Sequence, residues 1–122
     1  MMTLLLLVAL ASSPSLEDGR LAGWWKDSER ETVSELTRGT DGRWYGVIVA
    51  SPRKSELGKK SFDGLRWDGE SKRFIGKLIK PDDGEVVNVQ VWLTSPDSMS
   101  AEARVFIFRK SLVFARVKHD RK

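Results

Sequence analysis

His119 is the only imidazole in the chain, and there is no cysteine. The missing thiols exclude a cysteine nucleophile, a disulfide and a thiolate metal site together. A lone imidazole in the charged tail VKHDRK is expected to be a solvated group. With no second histidine beside it, Ser-His-Asp, Cys-His and ordinary zinc constellations are not expected to assemble. Carboxylates are the remaining route to acid–base work. Asp82 and Asp83 sit together in a turn sequence, where such pairs are usually solvated turn formers. Asp63 and Asp68 flank the Gly64–Trp67 segment and, with Glu70, are the residues a hydrolase would use. No phosphate-cradling glycine loop is present. No catalytic residue, metal ligand or cofactor is therefore assigned.

Binding has more behind it. Five tryptophans, five phenylalanines and one tyrosine in 122 residues make a large aromatic complement. Most of it has to pack a core. If part of it lines an apolar pocket, the candidates are Trp44, Trp67, Phe74, Trp92 and Phe106, with Arg73 and Arg116 as anchors for an acidic headgroup at the rim. Arg104 is a third cation of that kind.

These residues lie in a chain paced as short strands. Apolar alternations fall at 21–25 (LAGWW), 31–37 (ETVSELT) and 43–50 (RWYGVIVA), and further ones at 61–67, 72–80 and 85–93. The last pair, 99–108 and 111–117, is expected as a hairpin turning at Arg109-Lys110. Between them lie breakers with a mechanism, such as Pro81-Asp82-Asp83-Gly84, where proline presets φ and glycine accepts a positive one. A polar loop over 51–60 has room for one short helical turn. In EVVNVQVWL, Val87, Val89, Val91 and Leu93 share one face while Asn88, Gln90 and Trp92 share the other. No segment holds a helical period. About eight antiparallel strands, spaced this way, predict a single all-β, lipocalin-like barrel over residues 21–117. At that strand number the interior either fills with side chains or holds one small ligand.

Composition agrees with one globular domain: 40% of residues are hydrophobic and 31% charged, with a net charge of +4. Lysine and arginine are interleaved with aspartate and glutamate rather than gathered into a stripe, so no nucleic-acid partner is expected. At the N-terminus an apolar run, Leu4 to Leu10, leads into Ala9-Leu10-Ala11, the small-residue pattern of a secretory cleavage site. Residues 1–11 are expected to be a signal peptide, 12–20 a linker and 118–122 a charged tail. The run is too short to span a bilayer, so no transmembrane segment is expected after cleavage. The expected location is periplasmic or secreted.

The order of motifs resembles a bacterial family, the domain of unknown function 2147, whose members are small exported proteins. Gly23-Trp24-Trp25 is similar to its opening strand, and Gly46-Val47-Ile48-Val49 to its Gly-x-Ile-Val strand. Phe62-Asp63-Gly64-Leu65, then Arg73 to Ile79, then Lys80-Pro81-Asp82-Asp83-Gly84 follow in the family's order. Phe114-Ala115-Arg116-Val117 resembles its closing Trp-x-Arg strand. Phe74 and Phe114 stand where that family usually has tryptophan, Lys80 where it usually has aspartate, and Ala103 about where a glycine is common. The resemblance implies a lipocalin-like barrel and export, and it carries no reaction with it. The functional expectation is a non-enzymatic exported barrel that binds a small apolar or amphipathic ligand or an envelope protein. The alternative is a filled barrel serving as a structural or protein-interaction module.

Overall fold

The computed structural model describes residues 20–118. The expected signal peptide, all of the linker but Arg20, and His119 with the rest of the tail after Lys118 lie outside the described residues. Eight strands follow one another in chain order: β1 Gly23–Asp27, β2 Val33–Arg38, β3 Trp44–Ala50, β4 Lys60–Asp68, β5 Arg73–Ile79, β6 Val86–Ser95, β7 Ser98–Val105 and β8 Phe108–Val117. Each pairs antiparallel with the next, and β8 returns to β1 through pairs such as Trp25 with Arg116. The result is one closed, all-β barrel, which leaves no strand edge unpaired.

Strand alternation sets the two sides of the wall. Val87, Val89 and Val91 are buried while Asn88 is exposed and Gln90 and Trp92 are half-buried. The valine face is thus the interior one. The same phase puts Met99, Ala101 and Ala103 inside on β7 and Phe114 inside on β8. Among the described residues a single helical feature, the 3-10 turn Lys54–Glu56, interrupts the loop between β3 and β4.

The wall bends at β4. Gly64 takes a φ of +69° where the pairing with β5 shifts register between Asp63 and Arg66, the conformation of a bulge that re-aims a strand. Gly76 on β5 packs against it. A Cβ there would lie 2.9 Å from both the Gly64 carbonyl oxygen and the Leu65 Cα, so only glycine lets the two strands close on each other.

The two ends of the barrel differ. At one end the chain before β1 lies across the opening. Leu21, expected on the first strand, instead precedes it as a fully buried plug, and its carbonyl accepts a hydrogen bond from Trp25 Nε1 at 3.0 Å. Around it pack Trp25, Trp44, Leu65, Phe74, Val91 and Met99. The other end carries the β1–β2, β3–β4, β5–β6 and β7–β8 connections.

One boundary is corrected. The β7–β8 hairpin turns at Phe106-Ile107, not at Arg109-Lys110. Moving the turn by three residues leaves the same residues of both strands facing inward, so alternation does not distinguish the two registers. Polar turn preference favoured Arg-Lys. What decides is the pairing of Ser98 with Ala115, Met99 with Phe114 and Ala101 with Leu112, which keeps β8 in step with β1 as the barrel closes.

Candidate functional site

The end of the barrel away from Leu21 is open. A cavity of about 200 Å³ enters it between the strands. Its inner wall is mostly apolar, made by Ile48, Phe62, Val87, Ala103, Leu112 and Phe114. A small residue on β7, Ala103, leaves room in this wall: its cross-strand neighbours are Val89 on β6 and Lys110 on β8. Phe62 and Phe114 approach with ring centroids 5.8 Å apart and form the floor against the filled end.

One side of the cavity is polar. Ser34 on β2 and Ser61 on β4 share a hydrogen bond of 2.8 Å, and both are buried. Asp27 at the end of β1 is also buried, and its Oδ1 accepts the Glu29 N–H at 2.8 Å. Thr32 closes that side. Hydroxyls paired with each other leave this wall satisfied without a ligand, yet able to exchange partners with one.

The mouth carries charges of both signs. Arg30 is held by Glu56, whose carboxylate is the most enclosed ion of the described chain. Arg30 donates to it at 2.6 Å, Arg53 Nε at 2.8 Å and Ser51 Oγ at 2.8 Å. Burial pushes the Glu56 carboxyl up, but the hydrogen bonds from Arg53, Ser51 and Arg30 outweigh it and hold it down at about 2. Arg53 also donates to the Arg30 carbonyl at 2.8 Å, so this cluster ties the β1–β2 and β3–β4 connections into one rigid rim. Lys80 donates to Glu85 at 3.1 Å, and that bond raises its pKa above the usual lysine value. Lys110 lies opposite Ala103 on the inward face of β8 and meets Glu29 at 3.3 Å. Both partners of that last pair are well exposed, which makes it the weakest of the three.

The seven residues proposed from sequence do not gather into one site, and none lines this cavity. Trp44 and Phe74 are buried in the filled end. Trp67 packs edge-on to Phe74 with centroids 5.1 Å apart. Trp92 lies on the outer wall beneath the Arg73 guanidinium, 3.8 Å from its ring centroid, and Arg73 also donates to Gln90 at 2.8 Å. Arg116 seals the plugged end. It donates to the carbonyls of Ala22 and Arg20, both at 2.7 Å, and to that of Pro96 at 3.1 Å, with Trp25 under its guanidinium. Phe106 is in the β7–β8 turn and 88% exposed.

The carboxylates considered for hydrolysis are likewise elsewhere. Asp63 pairs with Lys60 at 3.6 Å, while Asp68 caps its own turn by accepting from the Ser71 N–H and hydroxyl. Glu70 is exposed in that turn. Among the described residues no cluster of three or more metal-ligating side chains occurs.

What sequence reasoning missed was a small residue. Ala103 helps to open the cavity, and the available signal was the inward phase of so small a residue on a strand otherwise built to fill a barrel. Comparison of the chain with protein-family models, with curated proteins and with solved structures finds no match.

Proposed function

We propose that the protein is a non-enzymatic, exported binding protein that takes a small apolar or amphipathic molecule into the open end of its barrel. The observation that carries this is the cavity itself. It is apolar on most of its wall, open at one end only, and bounded by a rim that Glu56 makes rigid. About 200 Å³ is below the usual range for drug-sized ligands but ample for a small ring, which engineered apolar cavities of roughly 150 Å³ admit. A single short acyl chain, with its headgroup outside, is the second occupant whose apolar character matches the wall. Lys110, inward-facing at the rim and loosely paired, is the cation that would meet an acidic head. Export rests on the N-terminal pattern, and the motif order that resembles the exported family supports the same compartment.

Native mass spectrometry of the purified protein, with and without added octanoate, tests the proposal. A discrete added mass that denaturation removes, or saturable octanoate uptake, is the expected result. Bare mass under both conditions overturns ligand binding and favours the alternative, an interaction module that uses its rim and outer wall.

A further inference from the structure

The β7–β8 turn is built against local preference. A two-residue hairpin turn ordinarily takes glycine or asparagine, because its first position requires a positive φ. Here that position is Phe106, at φ +58°, a conformation in which a bulky side chain is a genuine outlier. Phe106 and Ile107 are 88% and 89% exposed, and Phe108 is 68% exposed. Immediately behind them Arg104 and Arg109 lie directly opposite each other across the hairpin, a like-charge pair that opposes the pairing. Lys110 follows. Glu102 and Glu29 lie 3.6 Å from Arg109 and 3.3 Å from Lys110. Both cations remain largely exposed, so exchanging those partners for others costs little.

Strained backbone, bare apolar side chains and opposed arginines coincide at one convex point. Such coincidences of locally unfavourable choices mark functional positions. We propose that this tip docks the protein on an anionic lipid surface. Phe106, Ile107 and Phe108 enter the boundary between headgroups and acyl chains, and Arg104, Arg109 and Lys110 meet the lipid phosphates. A bilayer supplies at once what the tip lacks, an apolar medium for three side chains and negative charge one step behind them. A projecting tip suits insertion better than a flat protein interface. The rest of the wall cannot follow it in: Lys77, Asn88 and Glu102 face outward, and none belongs in hydrocarbon.

Two other exposed large hydrophobics fit the same orientation. Leu57 and Val86 belong to the end that carries the tip, Val47 and Val113 lie on the outer wall within β3 and β8, and among the described residues none lies in the connections of the plugged end. Docking would therefore hold the cavity mouth toward the membrane. The docking inference stands on the tip alone and does not need the cavity to be filled.

The test uses the absence of cysteine. The full chain carrying Ile107→Cys, and separately Thr40→Cys in the β2–β3 connection at the plugged end, is labelled with an environment-sensitive fluorophore. Each is mixed with vesicles of equal parts phosphatidylglycerol and phosphatidylcholine, or of phosphatidylcholine alone. The expected result is a blue shift at position 107 and none at 40, strong with the anionic vesicles and weakened by salt. Replacing Phe106 and Ile107 together by aspartate, with circular dichroism unchanged, should weaken vesicle co-sedimentation by roughly tenfold or more. Equal binding by that double variant, or a shift at position 40 as large as at 107, overturns the proposal and points to another anchoring segment. Absence of vesicle binding also overturns it. Concentration-dependent self-association in sedimentation would then identify a second copy as what covers the tip.

Discussion

At the scale of single residues, two positions carry opposite kinds of stored free energy. Glu56 is an enclosed carboxylate with two arginine partners, and its depressed pKa links stability to pH. A group whose folded pKa lies below its unfolded one stabilises the fold above the unfolded value and loses that contribution as pH falls toward the folded one. For Glu56 the window runs from 4.5 down to about 2. Because Arg30 and Arg53 keep 32% and 41% of their side chains exposed, the full shift overstates the gain. Glu56→Gln is expected to cost about 2 kcal/mol at neutral pH and to flatten the acid limb, as measured by urea titration from neutrality to pH 2. An unchanged acid limb would show that other carboxylates set it. Phe106 is the reverse case. Phe106→Gly relieves a left-handed backbone that disfavours any side chain, and is expected to stabilise the protein by about 1 kcal/mol. A thermal melt that fails to rise would mean the turn relaxes without strain.

At the scale of elements, the bulge of β4 and its neighbour β5 decide how the barrel bends. Gly76 meets backbone atoms, which cannot step aside as the end of a flexible side chain would. Gly76→Ala is expected to destabilise by about 2 kcal/mol, read as a lower denaturant midpoint with unchanged slope. A neutral outcome would show that the bulge at Gly64 slides. Strand positions were legible in the sequence because alternation and turn residues both mark them: β2, β3, β5 and β6 fall within two residues of their expected bounds. The β7–β8 boundary was not, because its turn is made of Phe106 and Ile107, the residue types that ordinarily continue a strand.

At the scale of the whole molecule, the barrel is plugged at one end and open at the other. Leu21, Trp25 and Arg116 close the first, and Ala103 leaves space toward the second. Ala103→Phe is expected to fill the cavity and abolish octanoate uptake while leaving the fold intact, checked by native mass spectrometry beside circular dichroism. Uptake that survives would place the ligand outside the barrel. Sequence reasoning chose large aromatics as pocket lining, but Trp44, Trp67 and Phe74 build the filled end, Trp92 lies on the outer wall and Phe106 stands exposed in the β7–β8 turn. Size alone marks a residue for burial, not for contact with a ligand.

By itself the sequence determined that the chain is an all-β barrel, because alternation and turn chemistry are local properties that each strand displays alone. It also excluded thiol chemistry, by composition. Only the tertiary structure decided which end is hollow, that Glu56 gathers Arg30 and Arg53, and that Phe106 stands bare at the rim. These depend on register between strands distant in the chain, and a closed barrel fixes that register only when all eight strands are paired at once.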